Sequence, residues 1–329
     1  MPATIPVRPQ NVGPALAGYA GWGGSYWINE KSEVSSATAE IDLIAAMGFK
    51  RIAIPFELFE PPPEPPIPSP AAQTALDRLV IAVGYSLKKG LNIYLQIHCD
   101  GNHEVDCNTP WTSEAAYLAA VAAMATALQH AWAGPTTGPW RGSLTIVLGN
   151  ELTGSPCKDW PTIMMLYTTL LPQCAKVIRS LLPGVKIFVP YMGDEQSGYL
   201  AAGMSAAGMT EQILLFGGKP SLTNTPIYDG VDLHYLFETI NEAQQWIPGA
   251  TVPSLLAMFR EKYNNIPVAC GEFSGMMPLG VSPDLVTQTV NLGFPVYYWQ
   301  WWLPSGQLCL RGNTELLAAM GFGPAVATT

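Results

Sequence analysis

The chain alternates short apolar, β-branched runs with helix-forming stretches, and completes that alternation eight times. A Pro-rich lead (about residues 1–16) runs into a weak first strand at Ala15 to Gly24. Then come KRIAIPF (50–56), LNIYLQIH (91–98), LTIVL (144–148), VKIFVPY (185–191), GVDLHYLF (230–237), IPVACGE (266–272) and FPVYYWQWW (294–302). Runs apolar on both faces are strands of a parallel sheet covered on each side. The helices between them read from a Ser35 or Ser36 cap to a Gly48 stop, then Ala71–Lys89, Ser113–Trp132, and Pro161–Leu182 with an interruption near Pro172. Pro253–Asn264, Ser282–Leu292 and Asn313–Met320 follow. PPPEPPIPSP (61–70) is a stiff polyproline loop, too short for a domain linker. Eight units without a linker favour a closed (β/α)8 barrel over a doubly wound sheet. A length of 329 residues is ordinary for one such domain.

Composition removes several function classes. Hydrophobic residues make up 48% and charged residues 12%, enough for a large core, yet no apolar run reaches the ~18 residues of a membrane span. A net charge of −9 with 16 Lys and Arg disfavours a nucleic-acid partner and suits an uncharged ligand. The six cysteines form no CxxC pair, so no zinc cluster is expected. Cys99 and Cys107 bracket one loop and could pair in an oxidising compartment, whereas Cys174 and Cys270 read equally well as buried thiols. The N-terminus lacks the basic start and apolar block of a signal peptide. The expectation is an extracellular protein whose leader has been removed, with a cytoplasmic protein as the alternative.

Two strand ends carry the chemistry. LTIVLGNELTG delivers Asn150 and Glu151 past an apolar run, and IPVACGEFSG does the same for Glu272. The carboxyl edge of the strands is where barrels of this kind place reacting groups. One such Glu alone is a helix-start or loop charge as readily as a site residue; two are harder to dismiss. A carboxylic acid that protonates a leaving oxygen and a carboxylate that attacks the anomeric carbon, ~5–5.5 Å apart, hydrolyse a glycoside with retention, whereas the same pair ~6.5–9.5 Å apart inverts instead. Glu151 could supply the acid, with the Asn150 amide on a ring hydroxyl, and Glu272 the nucleophile. Neighbouring carboxylates disfavour double ionisation, which keeps one protonated and predicts a bell-shaped pH profile.

The order NE on the fourth strand and GEF on the seventh resembles glycoside hydrolase clan A, most nearly the family 5-like cellulases and mannanases. The resemblance spans about residues 17 to 322. It implies Glu151 as acid/base and Glu272 as nucleophile. GFKRIAIP looks like the second strand of that clan, QIH places His98 at a sugar subsite, and YYWQWW places Trp299 at its floor. In two places the chain departs from the pattern. Ala53 stands where the family carries an arginine that bonds the nucleophile, with Arg51 two residues earlier as a candidate substitute or a strand-start surface charge. The sixth strand reads His234-Tyr235-Leu236 in place of His-x-Tyr, so that either His234 or Tyr235 could contact the nucleophile.

Aromatic residues complete the expectation. Trp22, Trp27, Trp111, Trp160, Tyr191, Trp299, Trp301 and Trp302 fall in loops or at strand ends, where flat rings stack on sugars. Period-two geometry sets Tyr297, Trp299 and Trp301 on one face, with Tyr298, Gln300 and Trp302 on the other. His98 and His234 invite a metal, but they are far apart in sequence and no HExxH helix is present. No GxSxG, GxGxxG or Walker motif occurs. Neither cofactor nor metal is expected. The function read from sequence is endo-acting hydrolysis of a neutral β-linked polysaccharide of cellulose, mixed-linkage glucan or mannan type. An exo-acting β-glycosidase and a catalytically silent glycan-binding barrel are the alternatives.

Overall fold

In the computed structural model, described residues are 11–14, 16, 31–57, 70–98, 114–131, 142–149, 169–192, 227–235, 267–273, 283–291, 293–298, 301 and 310–322. Eight parallel strands form one sheet: β1 (Val12–Pro14), β2 (Arg51–Glu57), β3 (Asn92–His98), β4 (Leu144–Val147), β5 (Lys186–Met192), β6 (Gly230–Tyr235), β7 (Val268–Phe273) and β8 (Val296–Tyr298). From β2 to β8 each strand pairs with the next in sequence, and β8 pairs with β1. The Leu16 N–H donates to the Ala53 carbonyl at 2.8 Å, bringing the chain after β1 onto β2. The result is a (β/α)8 barrel, as the alternation predicts.

Alternation along the strands sorts the core into two parts. Ile93, Leu95 and Ile97 of β3 face the helices, in a shell that includes Ile52, Ile54, Ile146, Ile187 and Val189. Tyr94, between them, faces the barrel interior with Ala53, Val147, Phe188, Ala269 and Tyr297. The shell is lined by α1 (Lys31–Ala46), α2 (Pro70–Lys88), α3 (Glu114–Ala131), α4 (Leu171–Leu181), α5 (Pro283–Asn291) and α6 (Thr314–Ala319). Gly48 and Gly90 follow α1 and α2 at φ 93° and 76°, the left-handed conformation that stops a helix. Asn313 caps α6, its side chain accepting from the Leu316 N–H at 3.1 Å.

Three expectations need correction. The first strand is Val12–Pro14, inside the Pro-rich lead rather than at Ala15 to Gly24. It is three residues long, shows no apolar run, and ends at a proline that has no N–H to extend the ladder. Helix α1 starts at Lys31, before the expected serine cap. A helix boundary does fall near Pro172, which sits in the first turn of α4, where the missing N–H would have had no intrahelical partner; residues 161–168 lie outside the described residues. Finally, β8 ends at Tyr298 and the chain bends by Trp301. Trp301 therefore does not share a face with Tyr297, which lies in the interior while Trp301 lies in the shell.

Trp301 is fully buried, and its indole N–H donates to Glu40 Oε2 at 2.7 Å. The other oxygen of Glu40 accepts from Arg311 at 2.6 Å, and Phe49 meets the indole edge-on at 6.0 Å. One carboxylate on α1 thus ties down the chain after β8 and the approach to α6.

Interior glycines make room for large neighbours. A Cβ on Gly230 would collide with the Phe188 ring and lie 2.6 Å from the Pro267 carbonyl oxygen. The carbonyl belongs to the ladder and cannot yield, since it accepts the Val231 N–H. Gly230→Ala is expected to lower stability by about 1–3 kcal/mol, the cost of overpacking, read as a lower denaturant midpoint at unchanged slope.

Candidate active site

Strand β7 has one residue more than its neighbours between matching rungs. Leu233 pairs with Cys270 and His234 with Glu272, while on the other side Cys270 pairs with Val296 and Phe273 with Tyr298. Gly271 is the extra residue, and the strand is bulged there. Strict alternation would put Glu272 on the face of Val268 and Cys270, both of which lie in the shell. The bulge hands that place to Phe273, which meets Tyr298 edge-on at 6.3 Å within the shell. Gly271 and Glu272 are left to turn toward the barrel, at its carboxyl edge. Glu272 is 3% exposed. The Cys270 thiol donates to the Glu272 carbonyl at 3.4 Å across the bulge.

Beneath Glu272 lies a floor of polar and aromatic side chains. The Tyr94 hydroxyl donates to Asp232 Oδ1 at 2.7 Å, bridging β3 to β6 through the interior. Asp232 is 0% exposed, and a carboxylate taken out of water needs such donors. Tyr94 stacks on Tyr297 at 4.5 Å with 18° between the rings, and meets Phe188 edge-on at 6.0 Å. Burial, followed by the Asp232 charge, pushes the Tyr94 hydroxyl well above its ordinary range, so it stays a proton donor. Burial also pushes Tyr297 up to about 12, against the opposing pull of Arg51, which hydrogen-bonds it.

Arg51 is thus engaged at the interior end of β2. Its chain is close to Gly13, where a Cβ would lie 2.6 Å from the Arg51 carbonyl oxygen. The surface-charge reading of Arg51 gives way to an interior one, with Tyr297 as a partner. Ala53 lies among Tyr94, Val147, Phe188, Ala269 and Tyr297.

The remaining expected site residues are placed as follows. His98 is the last residue of β3, in register with Glu57 at the end of β2. His234 is the registered β6 neighbour of Glu272, one strand spacing (~4.8 Å) away by backbone, whereas Tyr235 is in register with Phe273. The side chains of His98, His234, Tyr235 and Tyr191 lie outside the described residues, as do Asn150, Glu151, Trp22, Trp27, Trp111, Trp160, Trp299 and Trp302. The last described residue before Asn150 is Gly149, at φ 98° past the end of β4. Trp301 cannot be a sugar platform in this arrangement, because the shell and Glu40 occupy it. Cys174 and Cys270 are buried thiols outside any disulfide, with burial pushing Cys174 up to about 12. Cys99 and Cys107 lie outside the described residues. Among the described residues no group of three or more His, Cys, Asp or Glu side chains could hold a metal ion, and no helix is long and apolar enough to cross a membrane.

Sequence reasoning missed Asp232, Tyr94 and Gln96. The signal for the first was a lone acid within the apolar strand GVDLHYLF. Gln96 shares the interior face of β3 with Tyr94, is fully buried, and has no hydrogen-bond partner for either amide atom among the described residues. Burying an unsatisfied amide costs about 1–3 kcal/mol. Gln96→Met, similar in volume, is expected to raise the denaturant midpoint; a lower midpoint would mean the amide is bonded in solution.

No protein-family model and no curated protein sequence matches this chain. Solved structures do. Endoglucanase Cel5A from the hyperthermophilic Thermotoga maritima is 18% identical with a TM-score of 0.55, covering 94% of this chain and 96% of its own. Its structures include complexes with cellobiose and mannotriose. Exo-β-1,4-mannosidase Op5Man5 from Opitutaceae bacterium strain TAV5 is 17% identical at a TM-score of 0.57, with 95% of this chain and 55% of that one covered. A trimodular endoglucanase of subfamily GH5_4 is 15% identical at a TM-score of 0.64, covering 96% of this chain and 61% of its own. The chain therefore has the barrel architecture of these solved structures.

Proposed function

We propose that this protein is a retaining glycoside hydrolase acting on neutral β-linked glycans, with Glu272 as nucleophile and Glu151 as acid/base. The observation that supports the reading is the β7 bulge, which sets Glu272 at the carboxyl end of its strand, in register with His234. In the first step a Glu272 oxygen bonds the anomeric carbon as the glycosidic C–O bond breaks, and the Glu151 proton goes to the departing oxygen. In the second, the Glu151 carboxylate takes a proton from water, whose oxygen bonds the same carbon and releases Glu272. Asn150, His98, His234, Tyr235, Trp299 and Trp22 are the proposed sugar contacts. A net charge of −9 supports an uncharged substrate over a polyanion.

Likeness to cellobiose- and mannotriose-bound Cel5A and to an exo-mannosidase points to glucans and mannans as the polymers to try, and leaves both endo and exo action to test. The experiment is reducing-sugar release from a panel of soluble β-glucans and mannans, with products sized by chromatography. A ladder of oligosaccharides from one polymer is expected. Release of a single small sugar from the first minute would mean exo action. Thermal stabilisation by cello- or manno-oligosaccharides without turnover would replace the enzyme with a glycan-binding barrel.

A further inference from the structure

We infer that Asp232, held by Tyr94, is a positioning residue for Glu272: its carboxylate wedges the extra residue of β7 and so fixes the direction in which the following side chain points. This rests on the nucleophile reading of Glu272. Three placements carry it. Gly271 is the surplus residue of the bulge, immediately before Glu272. The place a Cβ would take on Gly271 is filled by Asp232, whose Oδ1 and Oδ2 would collide with it and whose Cγ lies 2.8 Å away. Asp232 cannot swing aside easily, since Tyr94 bonds its Oδ1 at 2.7 Å while stacked on Tyr297 and abutted by Phe188.

A bulge is a soft point in a strand, because the extra residue has no rung of its own. A buried wedge on that residue converts the soft point into a fixed one. Positioning of this kind matters because small errors in the attack geometry are costly in rate. Tyr94 from β3 and Tyr297 from β8 both feel the Asp232 charge. At this level β4 and β5 contribute Val147 and Phe188, which do not titrate.

Asp232→Asn keeps the shape and still offers Tyr94 an oxygen to bond, while removing the charge. It is expected to keep most of the wild-type kcat, whereas Asp232→Ala, which removes the wedge, is expected to lower kcat about tenfold or more with KM for the best polymer within twofold of wild type. A folded Asp232→Ala enzyme with wild-type kcat overturns the inference. Tyr94→Phe is the second variant, should Asp232→Ala fail to fold. It keeps the ring stack and loses only the hydroxyl. Its kcat is expected to fall about tenfold or more with KM unchanged, because glycan has no access to the buried pair; wild-type kcat would overturn the inference. Glu272→Gln is assayed alongside. Activity surviving in that variant removes the nucleophile reading itself, whereas an inert Glu272→Gln with unaltered Asp232 and Tyr94 variants removes only the positioning role.

Discussion

Replacing Glu272 by Gln is expected to lower kcat on the best polymer by on the order of 10⁴-fold or more, as loss of an enzyme nucleophile does elsewhere. The amide has the size of the carboxylate but no anionic oxygen to bond the anomeric carbon. A 10⁴-fold loss corresponds to about 5.5 kcal/mol of transition-state stabilisation. Binding and folding should be spared. Glu272 is nearly buried on a bulged strand, and an uncharged isostere there relieves charge burial, so the melting temperature is expected to hold or rise. Oligosaccharide affinity measured by calorimetry should stay within a few-fold of wild type. Activity above about a hundredth of wild type would exclude Glu272 as nucleophile, because no neighbouring carboxylate would restore that much.

Glu151→Gln is expected to cost about 10²–10⁴-fold in kcat, the ordinary worth of a general acid and base. The loss should depend on the leaving group, which separates it from the Glu272 variant. An aryl glycoside departs as a stabilised phenolate and needs little protonation, so its bond-cleavage step should be nearly normal. A polysaccharide departs as a poor alkoxide and should show the full deficit. The basic limb of the pH profile, set by ionisation of the acid, should vanish in the variant. Equal losses on both substrates would assign the proton to a different group.

The extent to which this architecture was legible follows from how strands carry information. β2 to β7 were located within one or two residues, because strands covered on both faces are written as unbroken apolar runs such as LNIYLQIH. β1 was not, since VGP carries no run and earns its place only through pairing with β8 and a glycine that lets Arg51 come close. The importance of Glu272 was readable from its position past a strand; its facing was not. Counting by twos from Cys270 sends it outward, and only the inserted Gly271 reverses that. A glycine within a strand was the hint available. Trp301 failed for the same reason in reverse: the count by twos was continued past Tyr298, where the strand had stopped. Asp232 was passed over because a lone acid in an apolar strand has meaning only once its donor is known, and Tyr94 lies on a strand far away in sequence.

The Glu40 contact has a consequence for how the molecule is made. Its partners, Trp301 and Arg311, are near the far end of a chain of 329 residues. Synthesis runs from the N-terminus, so α1 can form while most of the sequence has yet to be assembled. Until Trp301 has left the ribosome, that carboxylate has neither of these donors, and Arg311 follows only later. Shortening the chain before Arg311 would leave Glu40 without its guanidinium partner, and the tie between the first helix and the chain after the eighth strand weakened.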